Sequence, residues 1–274
     1  MTITHSNTIK KIMSFGCSFT MGGGLNDTRY LQWLKLYHPE KLEGYSDEDF
    51  YKTYYTDASY PSRLAKFLGC GHENFAIGCS SNELIFKTLN QKTSAIADGN
   101  GILITIQPTF LHRKHVYDGL NQGNIMFNGP SESDHTPHGN FFPDIHRKEY
   151  NNMYLKYFYD HIYELNKYLY NLYAIVDSLV LKNFSVIIVP YENPNNFKYL
   201  FLDSKQVCTE FVHVGKMIIY NSIQNLLIDS NLCIKDLPNM KWKDYHANEQ
   251  GHEIIAESLY NHIIKHHTIR RQAL

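Results

Sequence analysis

Lys11-Ile12-Met13-Ser14-Phe15, running directly into Gly16-Cys17-Ser18-Phe19-Thr20, is the stretch on which the reading of this chain turns. A short apolar run that ends in a small-residue turn predicts a buried strand, and it leaves a serine hydroxyl at the mouth of the sheet. Working outward, Gly101–Ile106, Phe184–Val189 and Leu232–Asp236 have the same character. A fifth strand is expected around His72–Phe75, between helical stretches at Pro61–Leu68 and Ser81–Thr93. Strands separated by helices need crossover connections, so the expected fold is α/β: a three-layer α/β/α sandwich around a parallel five-stranded sheet. Glu149–Leu181 places Met153, Tyr157, Ile162, Leu165, Leu169, Leu172, Val176 and Leu179 along one face of a long helix. Asn248–His267 repeats the pattern, with Asn248 as its N-cap.

The chain of 274 residues is expected to form one domain spanning 1–274. Lys+Arg 26 against Asp+Glu 27 gives a net charge of −1, so no broad positive field draws in nucleic acid or an anionic membrane. The apolar runs stop short of the roughly 18 residues that cross a bilayer. The N-terminal segment carries no secretory signal pattern, and five widely spaced cysteines with no CxxC pair read as reduced thiols. A cytoplasmic location is the expectation.

Two segments interrupt the α/β pattern, at about 37–60 and 112–147. The first is acidic and carries Tyr37, Tyr51, Tyr54, Tyr55 and Tyr60; the second is rich in Gly, Asn, Pro and His without sustained periodicity. Both follow the C-terminal ends of expected strands, the edge where open α/β sheets bind ligands. The first is read as overhanging a cleft, where its tyrosines either stack on sugar rings or simply pack. The second reads as a lid, a binding loop or disorder.

The turn at Ser18 is not a G-x-S-x-G elbow, because Thr20 replaces the second glycine, and Gly22-Gly23-Gly24 lacks the Lys-Ser/Thr of a phosphate-binding loop. The second chemical signal is Asp244-Tyr245-His246-Ala247-Asn248-Glu249-Gln250-Gly251-His252. Residues i and i+2 of an extended segment share a side, so Asp244 can orient His246. Asp236 or a backbone carbonyl is the alternative partner. Cys17 is the rival nucleophile, but neighbours on a strand point opposite ways. His252 is the rival base. His112, His115, His135, His138 and His146, with Asp134, could suggest zinc, but nothing in the segment supplies a rigid tetrahedral frame, so no metal or cofactor is expected.

Four blocks together resemble the SGNH hydrolases, also called the GDSL esterase/lipase family. They are Phe15–Thr20; Tyr60–Ala65 with Leu68-Gly69-Cys70 and Asn74–Asn82; Ile102–Thr109; and Asp244–His252. The resemblance implies a flavodoxin-like sheet, Ser18 as nucleophile, and His246 and Asp244 as its partners. It also implies an oxyanion hole from the Ser18 N–H, the N–H of Gly78 or Cys79, and Gln107, which replaces the family's asparagine. Asn82, Arg113 and Tyr60 are candidate substrate contacts, Arg113 alternatively forming a salt bridge. The implied activity is hydrolysis of small acyl esters, with the tyrosines pointing to acetyl groups on a carbohydrate. An O-acyltransferase using the same serine, or a non-catalytic glycan-binding protein on this fold, stands as the alternative.

Overall fold

The computed structural model describes residues 9–109, 113–118, 123–127, 153, 156–189, 217–219, 232–234, 237–239 and 246–272. Its main sheet contains β1 (Lys11–Phe15), β2 (Gly71–Asn74), β3 (Ile102–Ile106), β6 (Ser185–Ile188) and β7 (Met217–Ile219). The order is β2-β1-β3-β6-β7, and each neighbouring pair is parallel. The expected parallel five-stranded sheet is therefore present, with one strand exchanged. Leu232-Cys233-Ile234 does not join it: Cys233 makes an isolated antiparallel bridge to Ala247, and Met217–Ile219 forms the edge instead. Leu232 and Ile234 are buried, so that apolar run marks core contact rather than a ladder.

Period-two alternation divides the sheet between two cores. Met13, Phe15, Ile104, Ile106, Val186 and Ile188 face one side, beneath the helices Asn82–Thr93 and His161–Leu181. Ile12, Leu103, Ile187 and Val189 face the other, against Leu64, Ala65, Ile255 and Leu259 from helices Tyr60–Leu68 and Glu249–Gln272. Ser14 and Thr105 interrupt this second face, but the Thr105 hydroxyl donates to Ser14 Oγ at 2.8 Å, so neither buried hydroxyl is stranded.

In chain order the principal helices are α1 (Ser18–Met21), α2 (Thr28–Tyr37), α3 (Tyr60–Leu68), α4 (Asn82–Thr93), α5 (His161–Leu181) and α6 (Glu249–Gln272). The long helix expected from Glu149 is broken at 158–160. It begins afresh at His161, where the Asp160 side chain accepts from the Tyr163 N–H at 2.9 Å. Met153, Tyr157 and Ile162 are accordingly exposed, whereas Leu165, Leu172, Val176 and Leu179 are buried. The N-cap expected at Asn248 is formed: its Oδ1 accepts from the Gly251 N–H at 2.8 Å.

Residues 37–60 fold as short helical turns over a third core that includes Leu25, Tyr30, Trp33, Leu34, Phe50 and Tyr54. Within the 112–147 segment, β4 (Lys114–Asp118) and β5 (Gly123–Phe127) form an antiparallel pair, so that stretch is not wholly irregular. Among the described residues no helix is long and apolar enough to cross a membrane.

Candidate active site

The turn after β1 is shaped by what glycine omits. A Cβ on Gly16 would lie 2.0 Å from Thr20 Oγ1, so no larger residue fits where the strand turns into α1. Cys17 is the extended N-cap, buried to 1% exposure, and Ser18 is the first residue of the helix. Four residues later Gly22 ends α1 at φ +92, a left-handed conformation that suits glycine. Gly23 then passes so close that an added Cβ would lie 2.8 Å from Ser18 Cβ and 3.1 Å from His246 Nε2.

The histidine arrives on a different device. Ile234 N–H donates to the His246 carbonyl at 2.9 Å, Asn248 N–H donates to the Leu232 carbonyl at 2.8 Å, and Cys233 bridges Ala247 between them. This short antiparallel pairing fixes the backbone just before α6. The Phe19 ring sits 4.5 Å from the imidazole, centroid to centroid, and limits its rotation. His246 Nε2 comes to 2.7 Å from Ser18 Oγ, across 228 positions of sequence. Asp244 and Asp236 lie outside the described residues.

Neither rival of this pair is exposed. The buried Cys17 lies beneath the turn. His252 is 1% exposed, and its Nδ1 accepts from the Tyr60 N–H at 3.1 Å. Burial pushes the His252 pKa down to about 3, helped by the nearby Arg63 and His246, so its ring is neutral in the fold.

The expected oxyanion donors gather around the same turn. Ile77 N–H donates to the Gly16 carbonyl at 3.2 Å, which brings the 77–80 turn against α1. A Cβ on Gly78 would lie 3.3 Å from Met21 Cε, while Cys79 adopts φ +63, so this turn is tight at both candidate positions. Burial raises the Cys79 thiol pKa; Arg113 opposes the shift and Cys17 adds to it. Gln107 N–H donates to the Phe15 carbonyl at 2.8 Å, extending the β1–β3 ladder by one residue. Its fully buried side chain accepts from the Thr20 hydroxyl through Oε1, while Nε2 has no partner among the described residues.

Of the three candidate substrate contacts, Asn82 and Tyr60 are buried and Arg113 is half-buried. Asn82 grips the Thr109 backbone twice: Nδ2 donates to its carbonyl at 3.0 Å, and Oδ1 accepts its N–H at 2.9 Å. Arg113 Nη1 donates to Thr109 Oγ1 at 2.9 Å beside a polar cavity of about 20 Å³, room for a single water. Tyr60 is wholly buried, its hydroxyl 3.3 Å from Thr20 Oγ1. Asn82 and Arg113 thus brace the chain leaving β3, and Tyr60 supports the Ser18 turn from within.

Glu249, the first residue of α6, was not among the residues singled out in the sequence. Its Oε1 accepts from the hydroxyls of Tyr30, at 2.9 Å, and Tyr54, and its Oε2 accepts from Lys41 Nζ at 2.9 Å. Burial works to raise its pKa, but these donors outweigh it and hold the carboxyl below its usual range. Tyr54 is therefore consumed by packing and by this carboxylate, whereas Tyr37 and Tyr51 remain exposed. Among the described residues no group of three His, Cys, Asp or Glu side chains is arranged to hold a metal ion. His112, His135, His138, His146 and Asp134 lie outside the described residues, and His115 lies in β4.

No family model and no curated protein sequence matches the chain. Solved structures resemble it over most of its length. A protein of the G-D-S-L family from Desulfitobacterium hafniense DCB-2 shares 11% identity over 92% of this chain and 98% of that one, with a TM-score of 0.46. A member of the lipolytic protein G-D-S-L family from Veillonella parvula DSM 2008 shares 11% over 91% and 95%, at 0.43. A carbohydrate esterase family 2 enzyme with a carbohydrate binding domain, from Corynascus thermopiles (Myceliophthora fergusii), shares 11% over 96% and 68%, at 0.46.

Proposed function

We propose that the protein is a serine ester hydrolase of the SGNH type, acting on small acyl esters, acetyl above all, carried by a carbohydrate. The observation that carries this is the 2.7 Å separation between Ser18 Oγ and His246 Nε2, at the C-terminal end of a parallel strand. In the proposed reaction Nε2 takes the hydroxyl proton while Oγ bonds to the ester carbonyl carbon. The tetrahedral oxygen is met by the Ser18 N–H, which has no partner within its helix, by the N–H of Gly78 or Cys79, and by the Gln107 amide. His246 returns the proton to the departing alcohol, leaving an acyl group on Ser18. Water, activated by the same imidazole, then releases the acid. Asp244 is assigned to orient His246 and stabilise its charged form.

The test is labelling with a fluorophosphonate together with turnover of p-nitrophenyl acetate. Ser18→Ala should lose all labelling and lower kcat by about four orders of magnitude or more. Retained turnover in pure Ser18→Ala protein overturns the assignment. Absence of labelling in folded wild-type protein favours a glycan-binding protein without chemistry, and acetyl transfer to added sugar in place of release identifies an acyltransferase.

A further inference from the structure

α2 and the turn after it face the start of α6 across a cleft of about 420 Å³, within the size range of small-ligand sites. One wall is aromatic and already ordered. Trp33 donates its indole N–H to the Pro238 carbonyl at 2.9 Å and stacks on Tyr30, with centroids 5.8 Å apart and planes 15° apart. Tyr37 and His38 lean against the same indole at 5.9 Å and 4.8 Å. Tyr37 is 44% exposed, so one ring of this wall meets solvent.

Charge narrows what the cleft can hold. The positive end of α6 and the Lys41 ammonium are both answered by the Glu249 carboxylate, which in turn has its lone pairs taken by Tyr30, Tyr54 and Lys41. Lys41 and Glu249 thus offset one another and His38 Nδ1 lies 3.2 Å from Glu40 Oε1, while Gln250 and the other ring nitrogen of His38 provide hydrogen-bonding groups at the rim. Aromatic faces with polar tips suit a ring that has apolar C–H faces and hydroxyl edges. Position supplies the remaining argument. Asn248 lines the cleft and follows His246 by two residues, so their Cα atoms are at most about 7 Å apart.

We infer that this cleft is the subsite for the alcohol half of the substrate, a neutral sugar ring seated against Tyr37 and His38 while its acyl group is presented to Ser18. The inference rests on the ester-hydrolase reading, and the experiment separates the two. The ratio of kcat/KM on mono-O-acetylated neutral oligosaccharides (xylo-, manno- and gluco-) to kcat/KM on p-nitrophenyl acetate is measured for wild type, Tyr37→Ala and His38→Ala. Loss of one stacking ring should lower that ratio about tenfold. Independently, intrinsic fluorescence of Ser18→Ala protein, which contains Trp33 in the wall, is titrated with the unacetylated oligosaccharides. Saturable quenching that Tyr37→Ala weakens is expected. An unmoved ratio, or no binding of any of the sugars up to about 10 mM, overturns the subsite. If p-nitrophenyl acetate turnover survives Ser18→Ala, the hydrolase reading fails, and the titration still decides whether the cleft holds sugar.

Discussion

The two halves of the candidate site are held by opposite means. On the Ser18 side the geometry comes from close backbone approach: Gly16, Gly22 and Gly23 each occupy a place where a Cβ would meet another atom at 2.0 to 2.8 Å. On the His246 side it comes from hydrogen bonds: the backbone pairs Ile234–His246 and Asn248–Leu232, backed along α6 by Glu249 held by Tyr30, Tyr54 and Lys41, His252 by the Tyr60 N–H, and Glu253 by Arg63. A shape made by missing atoms tolerates no additions. A position made by hydrogen bonds can be loosened in steps and depends on pH.

The sharpest way to break the first half is Gly23→Ala. The new methyl must displace Ser18, His246 or both, and a misplacement of about 1 Å costs on the order of 100-fold in rate. We expect kcat on p-nitrophenyl acetate to fall by about that factor while the circular dichroism spectrum is retained; a wild-type rate would show that the turn can yield.

A smaller effect, on stability, is expected from the second half. Glu249→Ala leaves two buried hydroxyls and Lys41 without their acceptor, a loss of about 1–3 kcal/mol by denaturant unfolding. Because the Glu249 carboxyl is held below its ordinary 4.5, its contribution is complete above that pH and shrinks as acid is added through the lowered value. Glu249→Gln should therefore show a flatter stability profile below about pH 4.5 than wild type. An unchanged profile would remove the carboxylate from the interaction.

The mildest prediction separates His252 from Glu249 by pH window. Buried neutral, His252 refuses a proton down to about 3, whereas the unfolded chain accepts one near 6.5. Its contribution is thus full above 6.5 and is lost progressively as pH falls toward about 3, with His72, lowered to about 4 chiefly by burial, acting in the same sense. His252→Asn, which keeps an acceptor for the Tyr60 N–H, should flatten the melting-temperature curve between pH 6.5 and 4.5, where Glu249 is silent. A slope equal to wild type there would mean that the ring is charged in the fold.

Much of this arrangement was legible because it is local. The strands at Lys11, Gly101 and Phe184, the serine in the turn just after the first strand, and Asn248 as the cap of the last helix each follow from spacing and residue type within a dozen positions. What escaped reading is what closes over long separations. Glu249 meets its partners 195 to 219 positions away, and no periodicity announces that. Leu232-Cys233-Ile234 is as apolar as a strand, yet it lies in the core beside the His246 segment, while the three-residue Met217–Ile219 was too short to stand out. Gly23 was visible only as part of a glycine run; its importance is the empty volume next to two side chains. In the sequence the tyrosines of 37–60 look like one surface, but Tyr54 and Tyr60 are inside and Tyr37 is outside, because the segment folds around a core of its own.

The 228-position span between Ser18 and His246 means that the pair can form only after both segments have been made. If Ser18 and His246 act as proposed, a chain still being synthesised would expose the hydroxyl before the imidazole that activates it exists, and would be inert toward esters around it. On the ester-hydrolase proposal, reactivity would begin only after α6 docks.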